Sequence, residues 1–281
     1  MRQLAAAGHA VRALVRKGSE GRLPPSLPLE IRHGDVTEAA TLSSALDGCD
    51  AIIHLVGIIR EFPGRQITYQ RLHVEATANL LAAARQQGVR RWLQMSANGS
   101  GPESKTDYHR SKWQAEQAVG ESGLDWTIFR PSLIFGRGGD FVEMLAGLIR
   151  SLPVVPVIGD GRYRMQPVAV EQVAQSLVAA LQMEQTFAQT YQLGGGQNYS
   201  YNEILDLTGL AIGVAPVRKI HQPLLLMKPV IQVMQHSAHF PITSDQLTML
   251  LAGNICDPTA WAETFGIAPL SYADGVNACF S

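Results

Sequence analysis

The sequence predicts an α/β fold in which a doubly wound parallel sheet is joined by a small C-terminal α/β cap. Short apolar segments of strand length alternate with helical patterns at the spacing of βαβ units. Residues 51–56 are apolar almost throughout, as in a strand that is covered on both faces. Hydrophobic residues make up 46% of the 281 residues, which is enough for a large core and a smaller cap.

The N-terminal part of the chain is expected to contribute three strands. Residues 1–8 have the pattern of the last two turns of a helix, and Gly8 ends it. The strands are expected over residues 10–15, 29–33 and 51–56. Thr37 is expected to cap a helix over residues 38–46, between the second and third strands.

The remaining elements are mainly helical. A long helix is expected over residues 69–87, and strands follow over residues 92–95 and 126–129. Further helical patterns cover residues 141–150, 171–181 and 200–210. The apolar run 221–235, broken by Lys228 and Pro229, is interpreted as a cap helix packed on a substrate pocket. The alternative is a wall or membrane-facing flap for an apolar ligand such as a quinone.

Residues 91–112 supply the most informative pattern. A strand ends in a serine-rich turn that begins at Ser96, and the helix after this turn carries Tyr108 and Lys112. Residues four apart lie one turn apart on the same face of a helix. A cation beside a phenol favours the phenolate and lowers a tyrosine pKa from its usual value of about 10. Tyr108 is therefore a candidate proton donor or acceptor, with Lys112 as its partner.

Polar residues or glycines follow the predicted strands where each strand ends. The carboxyl ends of parallel strands share one edge of the sheet, where ligands bind in such folds. The strand ends are Arg16-Lys17, Asp35-Val36, Val56-Gly57, Ser96-Ala97 and Arg130-Pro131-Ser132. Together they predict a site suited to a dinucleotide.

These features resemble the short-chain dehydrogenase/reductase superfamily, in its extended and atypical branch of epimerase/dehydratase-like proteins. The matching pieces are GDV at 34–36, HLVG at 54–57, YxxxK at 108–112, RPSLIFG at 130–136, PVIGDG at 156–161 with QPVAV at 166–170, and YQLGG at 191–195. Within that branch the chain is most similar to the subgroup named after the NAD(P)H-binding accessory subunit of respiratory complex I. The resemblance implies a Rossmann core over residues 1–135, to which 166–194 return. It also implies a substrate or cap region over 136–165 and 195–281.

The resemblance assigns residues to parts of the dinucleotide. It places Asp35 and Val36 at the adenine, and Tyr108 and Lys112 at the nicotinamide ribose. Leu55, Val56 and Gly57 would line the pyrophosphate and ribose side. The backbone at Pro131, Ser132 and Leu133 would meet the nicotinamide amide. Arg16 and Lys17 stand where an NAD-specific site has an acid, so NADP(H) is favoured over NAD(H).

Two departures from the family pattern leave the function open. The opening strand and the glycine-rich turn are absent, so the chain is expected to lack the first strand of its sheet. An in-frame upstream strand and turn are expected, with a real truncation as the alternative. The catalytic Ser/Thr position falls on Ala97, with Ser96 one residue early and Ser100 as an alternative. The chain is therefore either an NAD(P)H-binding protein of a respiratory or quinone-pathway partner, or an active NADP-dependent oxidoreductase or epimerase that uses Tyr108, Lys112 and Ser96.

Composition excludes several other classes of function. A formal net charge of −1 disfavours nucleic-acid binding. No signal peptide or apolar run of about 18 residues is found, which favours a cytoplasmic protein, either free or peripheral at the inner face of a membrane. The three cysteines match no metal or disulfide spacing. His236 and His239 lack acidic or cysteine companions, so no metal site is expected there.

Overall fold

Parallel strand pairing organises the first of two compact units. The structure is a computed structural model, and it describes residues 1–235 and 242–281, so that His236 and His239 lie outside the described residues. The first unit comprises Met1–Ser96, Ser100–Phe129 and Ala174–Thr190. The second unit comprises Ala97–Gly99, Arg130–Val173 and Tyr191–Ser281. The domain boundaries inferred from the sequence remain a prediction.

Strands and helices alternate along most of the described chain. The strands are β1 Val11–Val15, β2 Leu29–His33, β3 Ala51–His54, β4 Arg91–Met95, β5 Asp125–Pro131, β6 Ile134–Phe135, β7 Val155–Ile158, β8 Arg164–Met165, β9 Val168–Ala169, β10 Gln189–Leu193, β11 Tyr199–Ser200 and β12 Lys219–Gln222. The helices are α1 Arg2–Ala6, α2 Leu42–Leu46, α3 Ala76–Gln87, α4 Asp107–Gly120, α5 Asp140–Ser151, α6 Val170–Ala180, α7 Tyr201–Ala211, α8 Leu224–Met234, α9 Ser244–Ala252, α10 Thr259–Phe265 and α11 Tyr272–Gly275.

The predicted parallel sheet occurs in two pieces. Strands β1 and β2 pair in parallel, with Val11 opposite Leu29 and Val15 opposite His33. A separate four-stranded sheet has the order β10-β5-β4-β3, and both β3–β4 and β4–β5 are parallel pairs. The carboxyl ends of β3 and β4 therefore lie at the same edge, as the sequence predicted. The α/β fold with parallel sheets is confirmed.

The core of the first unit lies between the four-stranded sheet and helices α2, α3 and α4. Trp92 of β4 and Leu42 of α2 are fully buried there, with Leu80 of α3 and Val119 of α4 beside them. Arg91 is the first residue of β4, and its side chain anchors the amino end of that strand. Its buried guanidinium donates to the Ala180 carbonyl and to the hydroxyls of Thr127 and Thr186, which satisfies most of its donors.

The second unit has its own core, formed mainly by α5, α7, β7 and α11. Leu145, Val157, Ile204 and Tyr272 are fully buried in it. Helix α7 begins with a capping box, because Ser200 Oγ accepts the Glu203 N–H while the Glu203 carboxylate accepts the Ser200 N–H. The predicted start of this helix at Ser200 is therefore confirmed.

Three local expectations differ from the structure. The helix expected over 38–46 is a 3₁₀ turn, Ala39–Thr41, followed by α2, and Thr37 does not cap it. The Thr37 N–H and hydroxyl instead donate to Asp35 Oδ1, because an aspartate side chain readily closes such a turn. Strand β3 ends at His54 rather than at residue 56. The helix expected over 69–87 begins with a π-helical turn, Gln70–Glu75, which precedes α3.

Candidate functional site

Helix α4 carries the two residues on which the predicted site is centred. Thr106 caps this helix by accepting the His109 N–H on its hydroxyl, at 3.4 Å. Asp107 adds an acid to the first turn, where a carboxylate complements the helix dipole. The cap fixes the position of the first turn, and Tyr108 and Lys112 then follow on one face of α4.

The ammonium group of Lys112 is buried beside the end of β4. Lys112 is only 5% exposed, and Nζ donates to the Met95 carbonyl oxygen at 3.3 Å. Burial lowers the pKa of Lys112 to about 8, although Glu116 acts in the opposite direction. A Cβ atom at Gly57 would lie 2.8 Å from Lys112 Nζ. Glycine at position 57 therefore leaves the space that the ammonium group occupies.

The structure corrects the expected pKa of Tyr108. Burial raises this pKa to about 12, whereas the sequence predicted that Lys112 would lower it. The reason is that Lys112 directs its ammonium group to the Met95 carbonyl, while aromatic rings surround the tyrosine. The Tyr108 ring makes edge-on contacts with Tyr69 and His73, at centroid distances of 5.8 and 5.7 Å. Tyr108 is thus a neutral phenol, suited to donating a proton or a hydrogen bond.

His73 is the residue of the site that the sequence analysis missed. Its Nε2 accepts the Ile58 N–H at 3.0 Å, so its Nδ1 carries the proton and donates to Ser111 Oγ at 2.8 Å. The Ser111 hydroxyl then donates to the Tyr108 carbonyl at 2.7 Å. This chain of three hydrogen bonds links the loop after β3 to the first turn of α4. Burial, and then Lys112 and His54, lower the pKa of His73 to about 3, so its ring is neutral.

A second buried histidine lies behind His73. The Thr77 hydroxyl donates to the His73 carbonyl at 2.6 Å, so His54 Nε2 is the donor in its 3.2 Å contact with Thr77 Oγ1. Burial and Lys112 lower the pKa of His54 to about 3. In the sequence, His54 stands only as the first residue of the strand motif 54–57. No pattern in the sequence singles out His73, because the π-helical turn that orients it has no signature of its own.

Ser96 terminates strand β4 and lies close to the alternative hydroxyl. Its N–H donates to the Phe129 carbonyl at 2.7 Å, and its hydroxyl donates to Ser100 Oγ at 3.3 Å. Both serines are buried. The two candidate hydroxyls therefore form one pair within the first unit, while Ala97 offers none.

The turn after β1, expected at the adenosine ribose, carries two exposed cations and one acid. Arg16 and Lys17 are exposed at the end of β1, and neither side chain has a hydrogen-bond or ion-pair partner within 1–235 and 242–281. Glu20 follows in the same turn, where its Oε1 accepts the Gly18 N–H at 3.1 Å. The sequence analysis did not single out this acid. It matters because an acid near the adenosine ribose suits a diol rather than a phosphate.

Of the other residues expected at the dinucleotide, Asp35 and Val36 form hydrogen bonds with neighbouring residues, and residues 55–57 differ in exposure. Asp35 Oδ1 is used by Thr37, and the Val36 carbonyl accepts from Asn79 Nδ2 at 3.2 Å. Leu55 is 56% exposed, Val56 is partly buried, and Gly57 is exposed.

Pro131, Ser132 and Leu133 belong to the second unit. Ser132 N–H donates to the Leu193 carbonyl at 2.8 Å, its hydroxyl bonds to the Gln166 carbonyl, and the Leu133 carbonyl accepts from Val168.

Comparison with known proteins decides the family. Residues 1–184 match the family described as NAD(P)H-binding. The chain belongs to the NAD(P)H-binding family. The resemblance inferred from the motifs is thereby confirmed, and binding of the NAD(P)H dinucleotide follows from it.

Relatives of this NAD(P)H-binding chain include subunits of a respiratory enzyme. It is 25% identical over 244 residues to the mitochondrial NADH-ubiquinone oxidoreductase 40 kDa subunit of Neurospora crassa, covering 85% of this chain and 63% of that protein. It is 26% identical over 218 residues to the mitochondrial NADH dehydrogenase [ubiquinone] 1 alpha subcomplex subunit 9 of Arabidopsis thaliana, covering 76% and 54%. The chain thus spans between half and two-thirds of the length of these relatives.

Solved structures establish the fold independently. An epimerase from Methanothermobacter thermautotrophicus matches with a TM-score of 0.78 and 16% identity, over 99% of this chain and 85% of that one. The UDP-glucose 4-epimerase of Thermotoga maritima matches with a TM-score of 0.76 and 18% identity, over 99% and 92%. The NAD(P)H-binding chain therefore has an epimerase-type fold.

Proposed function

We propose that this chain is an NADP(H)-binding protein in which Lys112 and Tyr108 hold the nicotinamide ribose, and that it serves binding rather than turnover. The observation that carries the proposal is the buried Lys112 ammonium group, held by one carbonyl in the space that glycine leaves at position 57. Such a group has donors to spare for a ligand hydroxyl. A buried cation gains more from a ligand oxygen than an exposed one does, because water does not compete with it.

The preference for binding over turnover rests on the hydroxyl groups near the end of β4. Ala97 supplies none, and the Ser96 hydroxyl already donates to Ser100. The raised pKa of Tyr108 also makes it a poor base near neutral pH. A substrate oxygen would then have the phenol and, from the serine pair, only the Ser100 hydroxyl as hydrogen-bond donors.

One observation favours a second candidate, an active NADP-dependent oxidoreductase or epimerase. Tyr108 and Lys112 lie one turn apart on α4, and Tyr108 as a neutral phenol can donate a proton to a substrate oxygen. A bound nicotinamide would supply hydride transfer. In this candidate Lys112 holds the ribose and stabilises the phenolate that remains after donation, and the Ser96 hydroxyl turns from Ser100 to the substrate oxygen as a further donor.

The remaining contacts of the dinucleotide follow the family pattern. Asp35 and Val36 are proposed at the adenine, and Leu55, Val56 and Gly57 along the pyrophosphate and ribose. Pro131, Ser132 and Leu133 are proposed at the nicotinamide amide. Arg16 and Lys17 are proposed at a 2′-phosphate, which makes NADP(H) the preferred cofactor.

The named relatives suggest where such a protein acts. Because they are subunits of mitochondrial NADH-ubiquinone oxidoreductase, we propose contact with a respiratory complex at the inner face of the membrane. A quinone or another apolar small molecule is the proposed further ligand, since the apolar segment 221–235 is unusually rich in exposed leucine and valine.

The experiment that tests binding is a titration of Lys112→Met with NADPH. Removing a charge-assisted hydrogen bond costs about 1.5–3 kcal/mol, so we expect affinity to fall roughly tenfold or more. Lys105→Met is the matched control, since Lys105 is exposed in the loop before α4. Equal affinity of the Lys112→Met and Lys105→Met variants would contradict the proposed ribose site.

Tyr108→Phe separates the two candidates. The ring and its contacts remain, and only the hydroxyl is lost. We expect this variant to bind NADPH less than about tenfold more weakly, because a neutral hydrogen bond contributes only about 0.5–1.5 kcal/mol, and to complement a deletion strain. Loss of complementation with retained NADPH binding would instead favour the oxidoreductase or epimerase.

A further inference from the structure

Helix α8 exposes an apolar surface that the dinucleotide site does not use. Of its eleven residues, Leu224–Met234, only Ile231 is buried. Leu225 is 84% exposed, Leu226 66% and Val233 74%. Scattered exposed leucines are ordinary on a protein surface, but three on one short helix are not.

The exposed residues form one continuous face of α8. Helical spacing puts Leu225, Pro229 and Val233 on one line, four residues apart, with Leu226 and Val230 on the adjacent line. We call these five residues the α8 outer face. Ile231 lies opposite, with the partly buried Leu224 and Met227 on its flanks. An ordinary surface helix has polar residues on its outer side, whereas α8 is apolar on both its inner and its outer side.

The segment of the chain that contains α8 carries basic residues and no acidic ones. Residues 207–244 contain no Asp or Glu, whereas the whole chain carries 24 of them. Three cations lie in that stretch: Arg218, Lys219 and Lys228. Lys219 is paired with Asp206, and Arg218 and Lys228 are exposed. Since the whole chain has a formal charge of −1, the rest of it carries a net charge of −4, so this segment is more basic than the remainder of the chain.

We propose that the α8 outer face docks on an anionic phospholipid bilayer, with α8 lying in the plane of the interface. Leu225, Leu226 and Val233 would enter the boundary between headgroups and acyl chains, where apolar side chains leave water. Lys228 lies on the flank of that face, from which its long stem reaches headgroup phosphates. This proposal refines the membrane location suggested above, and it is independent of the dinucleotide site.

Two other modes of association fit the observations less well. A helix of 11 residues is about 16 Å long, roughly half the apolar thickness of a bilayer, so α8 cannot cross one. Among the described residues, no helix at all meets the length and hydrophobicity that crossing requires. In a symmetric pair of copies, the α8 outer faces would bring the two Lys228 side chains towards each other, and like charges would oppose the contact.

The test is co-sedimentation of the full chain with vesicles of phosphatidylcholine alone, or mixed with phosphatidylglycerol. We expect binding to the mixed vesicles, weaker binding to the neutral ones, and a loss in high salt as the charges are screened. The double variant Leu225→Ser/Val233→Ser should bind the mixed vesicles at least about fivefold more weakly. Lys228→Gln should lower the preference for anionic lipid without abolishing binding.

The matched control is Leu210→Ser, because Leu210 is a single exposed leucine on α7, 67% accessible. Its binding should equal that of the wild type. All variants should keep the wild-type thermal midpoint and the wild-type response to NADPH, since the substituted side chains are exposed. Equal loss of binding in Leu210→Ser and the double variant would overturn the proposal. The proposal would also be overturned if the wild type bound neither kind of vesicle and instead dimerised with rising concentration, and if the double variant did not dimerise.

Discussion

The ring of His73 and the hydroxyl of Ser111 meet in a hydrogen bond of 2.8 Å, between Nδ1 and Oγ. The opposite ring nitrogen accepts the N–H of Ile58, which directly follows Gly57. A single neutral imidazole thus joins the loop proposed to line the pyrophosphate to the helix proposed to hold the ribose. We interpret His73 as a positioning residue for Lys112 and Tyr108.

Two substitutions of His73 should separate its two hydrogen bonds. A glutamine reaches the position of Nε2 and can accept the Ile58 N–H, whereas an asparagine reaches Nδ1 and can donate to Ser111. We expect each variant to lose about 1–3 kcal/mol of unfolding free energy, because one buried partner is left unpaired. NADPH affinity should fall further in His73→Asn, in which the Gly57–Ile58 loop is released. Calorimetric titration of both variants is the measurement, and equal affinities would show that the ring acts only by filling space.

Stability in acid should depend on the buried histidines. The pKa values of His54 and His73 are about 3 in the folded protein, against 6.5 in an unfolded chain. Between those values the unfolded chain binds more protons, so the free energy of unfolding should fall as pH drops from 6.5 towards 3. Denaturant unfolding at several pH values measures the slope. The slope should be shallower in His73→Gln, and an unchanged slope would contradict burial of a neutral ring.

Lys112 should have a signature of the same sign at high pH. Its pKa is about 8 when folded and 10.5 when unfolded, so the unfolded chain binds the proton more tightly between those values. The free energy of unfolding attributable to Lys112 should therefore rise as pH increases from 8 to 10.5. The Lys112→Met variant should lack this rise, and without ligand it should be no less stable than wild type at neutral pH. With saturating NADPH the order should reverse, because the wild type gains more from the ligand.

Cofactor preference should change with the two charges of the turn after β1. Arg16→Asp should weaken NADPH about tenfold or more and leave NADH nearly unchanged, since only NADPH carries the 2′-phosphate. Glu20→Gln is the complementary change, and it should favour NADPH by removing an acid from the same turn. Parallel titrations with both nucleotides are the measurement. A comparable loss for both nucleotides in Arg16→Asp would mean that Arg16 does not contact the phosphate.

The parts of the site that could be predicted from the sequence are those that depend on residues close together in the chain. Tyr108 and Lys112 are four residues apart on one helix, so their common face follows from helical geometry alone. Gly57 and Ser96 follow apolar runs, and parallel strands bring such ends to one edge. The direction of the Tyr108 pKa shift was wrong because it depends on burial, which spacing does not encode. The link from Ile58 through His73 to Ser111 joins three separate segments, and only the folded chain brings them together.

In the fold, too, local elements could be predicted from the sequence, whereas features that depend on tertiary contacts could not. Strands and helices with clear periodicity were located correctly, such as β2 and α4. The 3₁₀ turn at Ala39–Thr41 was missed because Asp35 takes the hydrogen bonds that a helix cap would have used. The exposure of α8 could not be predicted either, because an apolar run has the same sequence pattern whether the helix is buried or exposed.

The π-helical turn at Gln70–Glu75 makes the exact number of residues in this segment important. A π turn contains more residues than a turn of α-helix, and it persists only where tertiary contacts hold it. Deleting one residue within Gln70–Glu75 would let regular α-helix form and would change the directions of the side chains within the turn, including that of His73. Tyr69, whose ring now stacks on His73 at 5.4 Å, would leave that ring. Insertions and deletions should accordingly be tolerated far less here than in the loop before it, although no pattern in the sequence marks the turn.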